Sequence, residues 1–220
     1  MENSRPRIIT VKKWIAFCIA ASLLGPGSAA EAVEFRQWDP SPYSQAVTEC
    51  DLLAAHPDDP NRVAPGVGTR DVKLPAAIAA CETELARDPK NPRIAYQLAR
   101  VLTYSGRVAE AVPHIEGAAA TNYPQALFVT GYLYLSGAYQ ARKDFCRAGE
   151  LIRESAIWGR LAGQLGYPAY VLAGRFKDCP VRQDRDELIA FVERAQQSRL
   201  EFYPSVLAET LLVELRKIKN

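Results

Sequence analysis

The chain contains few residues of the kinds that build catalytic centres. Only two histidines, His56 and His114, occur in 220 residues. The Gly-x-Ser-x-Gly, Ser-x-x-Lys and His-Glu-x-x-His motifs of hydrolases are missing from the sequence, and so is a phosphate-binding glycine loop. Cys-x-x-Cys and His-x-x-x-His spacings are also missing, which argues against a zinc site. We therefore expect neither catalysis nor a bound cofactor or metal.

Two clusters of carboxylates were the remaining candidates for acid–base chemistry, which requires shielded groups with shifted pKa values. The first, Asp58-Asp59, lies between two prolines and is interpreted as a turn. The second consists of Asp184, Asp186 and Glu187 and is interpreted as a helix N-terminus, where negative charge is favourable. Neither cluster is expected to be catalytic.

Long alternation of apolar and polar residues is missing as well, so the sequence predicts helices and not strands. Apolar residues recur at helical spacing, and glycine and proline separate the helical stretches. Tyr-Pro pairs at 123, 167 and 203 mark three expected helix starts, because the first turn of a helix tolerates proline. The predicted helices are Ser44–Ala55, one with Pro75 in its first turn that ends near Arg87, Arg93–Tyr104, Val108–Ala120, Gln125–Leu135, Phe145–Arg160, Ala169–Arg175, Arg185–Ser198 and Ser205–Lys217.

Residues 1–30 are typical of a secretory signal peptide. Four basic residues precede an apolar run, Trp14–Leu24, and small residues follow it around Ala30. A membrane anchor is the alternative, but spanning a bilayer takes roughly 20 apolar residues and this run is about half as long. We predict cleavage near Ala30, with Ala32 as the second choice. The mature protein would be periplasmic or secreted, without a stable membrane span.

Removal of this leader changes the charge balance. The whole chain has 27 basic and 25 acidic residues, and 23 basic and 24 acidic residues follow residue 30. Such a balance gives no reason to expect a nucleic acid or an anionic membrane as a partner. About 190 residues are enough for one domain or one short array of repeats.

The segment from Asp88 to Ala118 resembles a tetratricopeptide repeat. A proline closes the preceding helix, small residues occupy the contact positions of both helices, and a glycine lies at the turn between them. The large aromatic residue that begins the first helix in this family is replaced by Ala95, with Tyr96 beside it. The matching positions are Pro89, Leu98, Ala99, Leu102, Gly106, Ala111, Ile115 and Ala118.

The segment from Tyr123 to Gly159 is similar to the Sel-one-like variant of that repeat. Its loop between the helices is longer than the usual pattern and lacks the usual Gly-Val. A degenerate third copy begins at Tyr167-Pro168, where Ala169 and Gly174 repeat an earlier spacing. The matching positions in the second segment are Ala126, Gly131, Tyr134, Gly137, Asp144, Ala148, Ala156 and Gly159.

This resemblance implies an all-α fold, a short right-handed α-solenoid of antiparallel helix pairs that forms a tetratricopeptide-like superhelix. Serial helix pairs with one apolar face each must stack to bury that face. The expected divisions are a signal peptide (1–30), an N-terminal helical hairpin with a long Pro/Gly loop (31–90), a tetratricopeptide-like repeat (91–122), a Sel-one-like repeat (123–160), a degenerate repeat (161–200) and a C-terminal capping helix (201–220).

Four cysteines follow the leader, and an even number in an exported chain favours disulfides. In a stack of antiparallel helices, Cys50 near the end of one helix faces Cys81 near the start of the next. Cys146 at the start of a second helix and Cys179 after the following first helix meet in the same way. We therefore predict the pairs Cys50–Cys81 and Cys146–Cys179, with ordinary buried thiols as the alternative.

In tetratricopeptide-like stacks the first helices line a concave groove, and the resemblance implies that a protein or peptide binds there. Tyrosine and arginine are common anchors of interfaces, and this combination suits an extended peptide that carries a carboxylate. Phe128 and Leu135 are equally compatible with the core. The inner-face positions carried over from the family are Arg93, Tyr96, Arg100, Thr103, Gln125, Phe128, Tyr132, Leu135, Val171 and Arg175.

The leading hypothesis is an exported adaptor that binds a protein or peptide and has no enzymatic activity. The alternative is binding of a cell-wall peptide or a β-lactam, possibly with hydrolysis, as the resemblance to cysteine-rich Sel-one-like proteins would imply. Those families repeat cysteines at short spacing within every repeat, which this chain does not. A third hypothesis is a module whose relatives belong to larger assemblies.

Overall fold

The computed structural model describes residues 32–138 and 143–218, and the predicted signal peptide lies outside these residues. This described part consists of helices and connecting segments, without a β-strand, so the all-α class is confirmed for it. Its helices are α1 (Glu49–Ala54), α2 (Leu74–Arg87), α3 (Pro92–Tyr104), α4 (Val108–Ala120), α5 (Pro124–Ser136), α6 (Phe145–Ile157), α7 (Leu161–Leu172), α8 (Arg185–Gln196) and α9 (Phe202–Lys217).

The helices pack in the order in which they follow one another along the chain. Each helix from α1 to α8 contacts the next one, and contacts between α1 and α3 and between α7 and α9 are added at the two ends. Two buried apolar clusters result. One lies mainly among α1 to α5 and includes Leu151 of α6, the other lies among α6 to α9, and partly buried Tyr134 packs against both.

Helix ends follow the local chemistry of the sequence. Asp184 precedes α8 and accepts a hydrogen bond from the Glu187 N–H group (3.0 Å), which confirms the interpretation of this acidic cluster as a helix N-terminus. Asp144 caps α6 in the same way. Gly106 (φ 81°) reverses the chain between α3 and α4, and Gly137 (φ 78°) ends α5 in the left-handed conformation that favours glycine.

Helix α7 differs from the sequence-based expectation. A break was expected at Gly166-Tyr167-Pro168 with a helix over Ala169–Arg175, but the structure has one helix from Leu161 to Leu172 that contains Pro168. A proline inside a helix cannot donate to the carbonyl four residues earlier, which here belongs to Gln164. Burial of Tyr167 and Pro168 against the α6–α9 cluster accompanies this loss of a hydrogen bond. The Tyr167-Pro168 pair therefore does not begin a helix.

Residues 32–73 form an extension that we call the N-terminal arm. Before α1 it is extended and follows the connections between the later helices. The Arg36 N–H group donates to the carbonyl of Ile157 (2.9 Å) at the end of α6. The Trp38 ring meets the ring of Tyr123 edge-on, with centroids 5.0 Å apart, before α5. The arm then forms α1 and a proline-rich loop that return over α3. Helix α1 is shorter than the predicted Ser44–Ala55.

Small residues set the distance between neighbouring helices, and Gly163 is the tightest example. A β-carbon at this position would lie 2.7 Å from the backbone nitrogen of Ala156 in α6, and backbone cannot move aside. We expect Gly163→Ala to lower the free energy of unfolding by about 1–3 kcal/mol because the helices must separate.

Gly117→Ala is the matched control for that prediction. Gly117 lies on the exposed side of α4, and a β-carbon there would meet nothing within 4 Å. Alanine should raise the stability by about 0.5–1 kcal/mol, because glycine inside a helix loses more backbone entropy. Urea denaturation of both variants measures the difference, and equal stabilities would contradict the close approach of α6 and α7.

Candidate binding groove

Two disulfides connect neighbouring parts of the fold. Cys50 of α1 pairs with Cys81 of α2, with Cα atoms 4.6 Å apart. Cys146 at the start of α6 pairs with Cys179 in the connection between α7 and α8, with Cα atoms 5.0 Å apart. This is the pairing that the sequence predicted. The first bond attaches the N-terminal arm to the helices that follow it.

The inner face of α3 is covered by the N-terminal arm, so it does not form the open groove expected from the sequence. Arg93 is 2% exposed, and its guanidinium group donates to the carbonyl of Ser44 (3.2 Å) and lies 3.3 Å from the carboxylate of Asp51. Asp51 is itself buried and accepts from the amide of Gln97 (2.9 Å). Arg93 therefore binds the protein's own chain.

Arg100 repeats this arrangement two turns further along α3. Its guanidinium group donates to the carbonyls of Ala54 (2.8 Å) and Ala55 (3.0 Å) at the end of α1. It also donates to the carbonyl of Val67 (2.7 Å), on the returning part of the proline-rich loop. Three main-chain oxygens of the arm thus surround one buried cation, and Arg100 is not available to a ligand in this structure.

Tyr96 and Gln125 are also buried and form a polar chain beneath the arm. The Gln125 amide donates to the Tyr96 hydroxyl (2.9 Å), and its oxygen accepts a hydrogen bond from Arg160, which precedes α7. Burial raises the pKa of Tyr96 above its usual value, so this hydroxyl stays protonated. The guanidinium group of Arg160 also lies over the ring of Phe128, 5.6 Å from its centroid.

The other predicted inner-face residues do not lie together. Thr103 is half-buried, and its hydroxyl donates to a carbonyl of its own helix. Phe128 is half-buried beneath Arg160, whereas Tyr132 is 49% exposed. Arg175 is exposed and lines a separate cavity of about 530 Å³ near the second disulfide. Leu135 and Val171 pack at the edge of the α6–α9 cluster.

The turn at Asp58-Asp59 anchors the proline-rich loop to the helices. Asp59 is buried, and its carboxylate accepts from the hydroxyl of Tyr123 (2.7 Å) and from the Asn61 N–H group (2.9 Å). Burial raises the pKa of Asp59, and the same burial together with the carboxylate raises that of Tyr123. The sequence interpretation of a turn holds, but it missed the buried contact because Tyr123 is distant in the sequence.

A groove of about 820 Å³ lies beside the turn at Asp58-Asp59. One wall is the loop from Pro57 to Arg62. A second wall is the start of α7, and a third is the segment from Ser198 to Leu207, which includes the start of α9. Tyr203 at its rim is 82% exposed, and Leu207 is 41% exposed. Exposed apolar side chains beside a groove are typical of a surface that contacts another molecule.

The lining of this groove combines charged and apolar side chains. Arg62, Arg160 and Arg199 line it together with aliphatic and aromatic side chains.

No cluster of three or more potential metal ligands occurs in residues 32–138 and 143–218. None of the helices described is long and apolar enough to cross a bilayer. Sequence reasoning missed this site, although it had marked Tyr203-Pro204 as a helix start and Asp58-Asp59 as a turn.

Comparisons of the chain with protein-family models, with curated proteins and with solved structures find no match. The tetratricopeptide and Sel-one-like resemblance therefore stays a prediction, based on the matching positions in the sequence.

The first disulfide leads to a prediction about the arm. Replacing Cys50 and Cys81 together with serine should lower the free energy of unfolding by about 3–4 kcal/mol. The reason is that the unfolded chain gains conformational entropy when no disulfide connects two positions 31 residues apart. Serine at Cys146 and Cys179, separated by 33 residues, should cost a similar amount. The two variants should differ locally: hydrogen exchange in α1 should accelerate in the first pair alone. Equal exchange in both would contradict the attachment of the arm by Cys50–Cys81.

The environment of His56 leads to a prediction about pH. Burial, Arg100, Arg160 and Arg62 lower the pKa of His56 to about 4, while Asp58 opposes them. Because the pKa of His56 is lower in the folded protein, His56 binds a proton more readily in the unfolded chain. The free energy of unfolding therefore falls as the pH decreases from 6.5 towards 4. The Asp58 N–H group donates to Nδ1 of His56 (3.0 Å), and the oxygen of asparagine can replace that acceptor.

Denaturation of the wild-type protein and of His56→Asn at pH 7 and pH 4.5 tests this prediction. The variant should lose less stability between the two values than the wild-type protein. Equal losses would show that His56 does not titrate in the lowered range. Asp59 is common to both proteins, so its raised pKa, which favours the folded state at acid pH, cancels in the comparison.

Proposed function

We propose that this chain is an exported helical-repeat protein that binds a protein or peptide in the groove between the proline-rich loop, α7 and α9. Its helices would form a short right-handed α-solenoid of tetratricopeptide and Sel-one-like type. Packing of each helix against the next supports this architecture, since solenoid repeats contact their neighbours along the chain. Two disulfides support an oxidising compartment, such as the periplasm or the cell exterior.

The observation that carries the proposal is the groove itself. Its volume of about 820 Å³ lies within the range of roughly 300–1,000 Å³ that ligand-binding pockets have. Three separate parts of the chain meet there, and tyrosine, leucine and arginine side chains line the walls. Tyrosine and arginine are enriched among the residues that dominate binding energy at interfaces.

The position of the groove differs from the one implied by the resemblance. The N-terminal arm occupies the inner face of α3. There Arg93 and Arg100 of α3 donate hydrogen bonds to main-chain carbonyls of the arm. A ligand would therefore bind further along the stack, near Arg160 and Tyr203. The arm contributes Pro57 to Arg62 as one wall, so it helps to build the site.

Selection of displayed peptides against the purified, disulfide-bonded protein tests this function. Enriched peptides should bind the wild-type protein in solution. Leu207→Asp should weaken their binding by about tenfold or more, because it places a charge in the apolar wall. Val213→Asp is the matched control: it lies on the same helix, is 54% exposed and does not line the groove, so affinity should stay within about twofold.

Circular dichroism of both variants establishes that each is folded. Failure to enrich any peptide, or equal binding by Leu207→Asp and the wild-type protein, would contradict the proposed groove.

A further inference from the structure

The groove proposed as the binding site carries an excess of positive charge. Three guanidinium groups line it, those of Arg62, Arg160 and Arg199, against the two carboxylates of Asp58 and Glu201. Arg160 and Asp58 are 4.0 Å apart, at the limit of an ion pair. Within the residues that the structure describes, neither Arg62 nor Arg199 has an acidic group within 4.0 Å. Arg62 donates to the main-chain carbonyl of Asp59 (3.0 Å), a neutral acceptor, so its charge, like that of Arg199, is not neutralised by a carboxylate and can attract an added anion.

The start of α7 adds to this positive character. Its capping residue, Arg160, has no side-chain oxygen to accept from the first-turn N–H groups, and no side-chain cap occurs there. Leu161 and Ala162, the first two residues of the helix, line the groove. Unpartnered amides and the helix dipole favour an anion at a helix N-terminus. This feature acts together with the guanidinium groups and does not define the site alone.

Apolar side chains lie within the same groove as these cations. Leu161 and Leu165 of α7 face the site from one wall, and Tyr203 and Leu207 of α9 face it from another. An isolated inorganic anion would use the cationic part and leave this apolar surface in water. A ligand that uses the whole groove must combine a negative charge with an apolar group.

We infer that the groove binds the C-terminal end of a peptide whose last residue is apolar. Its terminal carboxylate would interact with the guanidinium groups of Arg62, Arg160 and Arg199, and its side chain would pack against Leu165 and Leu207. A C-terminal residue is favoured over an internal aspartate or glutamate because its carboxylate and its apolar side chain share one Cα atom. The inference rests on the proposed peptide-binding function and names the part of the peptide that is recognised.

Fluorescence polarisation with three pools of labelled hexapeptides tests this inference. The first pool ends in leucine or phenylalanine with a free carboxylate and has mixed residues before it. The second is the same pool with an amidated C-terminus. The third is amidated and ends in aspartate, which supplies a carboxylate from a side chain. The first pool should bind at least about tenfold more tightly than either amidated pool, which corresponds to about 1.4 kcal/mol.

Arginine variants locate the carboxylate. Arg199→Gln should weaken binding of the free-acid pool by about threefold to tenfold and leave the second pool unchanged, because peptides with an amidated leucine or phenylalanine terminus have no carboxylate there to lose a charge-assisted contact. Arg216→Gln is the matched control, since Arg216 is an exposed arginine of α9 that does not line the groove. It should leave the affinity for all pools unchanged.

The outcomes separate this inference from the proposed function. If free-acid and amidated pools bind equally and Leu207→Asp weakens both, peptide binding in the groove stands and terminal recognition is overturned. Tighter binding of the aspartate pool would also overturn it, in favour of an internal acidic residue. If none of the pools binds and displayed peptides are not enriched either, the proposed function itself fails. An equal effect of Arg199→Gln and Arg216→Gln would overturn the placement of the carboxylate.

Discussion

The structure depends on how two guanidinium groups buried inside the stack obtain oxygen acceptors. An arginine side chain keeps its charge in proteins, and burying that charge costs several kcal/mol unless hydrogen bonds and an opposite charge replace water. Arg93 and Arg100 obtain these partners from main-chain carbonyls of the N-terminal arm and from Asp51. The arm both shields these two cations from water and supplies their acceptors, so its packing on α3 depends on those hydrogen bonds. Helix α1 has only six residues and is too short to persist alone, so arm and stack stabilise each other.

The same arrangement decides which part of the molecule remains open to a ligand. Helix α1 and the proline-rich loop of the arm cover α3, and the turn of this loop is held where Asp59 accepts from Tyr123, near the start of α5. Beyond this point Arg160 is the last buried cation, and it is held by Gln125 and by the ring of Phe128. The groove starts on the far side of this guanidinium group. The position of the groove is therefore linked to the arm, because the loop that supplies acceptors to Arg100 of α3 also forms a wall of the groove.

Local patterns in the sequence were sufficient for most of the helices, and contacts between distant residues were not. Glycine turns and apolar spacing predicted α4 with its observed bounds, and antiparallel packing suggested both cysteine pairs. The prediction for α7 was wrong because a local rule treats Pro168 as a break, whereas tertiary burial keeps the helix intact. Arg93 and Arg100 were assigned to an open groove because the sequence pattern does not show that residues 44–67 return over them. The position of Arg62, which lies in this returning segment, depends on that return as well.

The two halves of the stack differ in what their arginines can recognise. In the covered half, neutral carbonyls suffice as acceptors for Arg100 because the chain delivers them without loss of a free ligand's entropy. In the open half, Arg62 and Arg199 are exposed to water. Arg62 already donates to the carbonyl of Asp59 (3.0 Å), and exchanging water for a further neutral carbonyl yields little net free energy. A carboxylate forms charge-assisted hydrogen bonds that are roughly twice as strong as neutral ones. The open groove is therefore expected to discriminate by charge, whereas the covered face binds main chain irrespective of sequence.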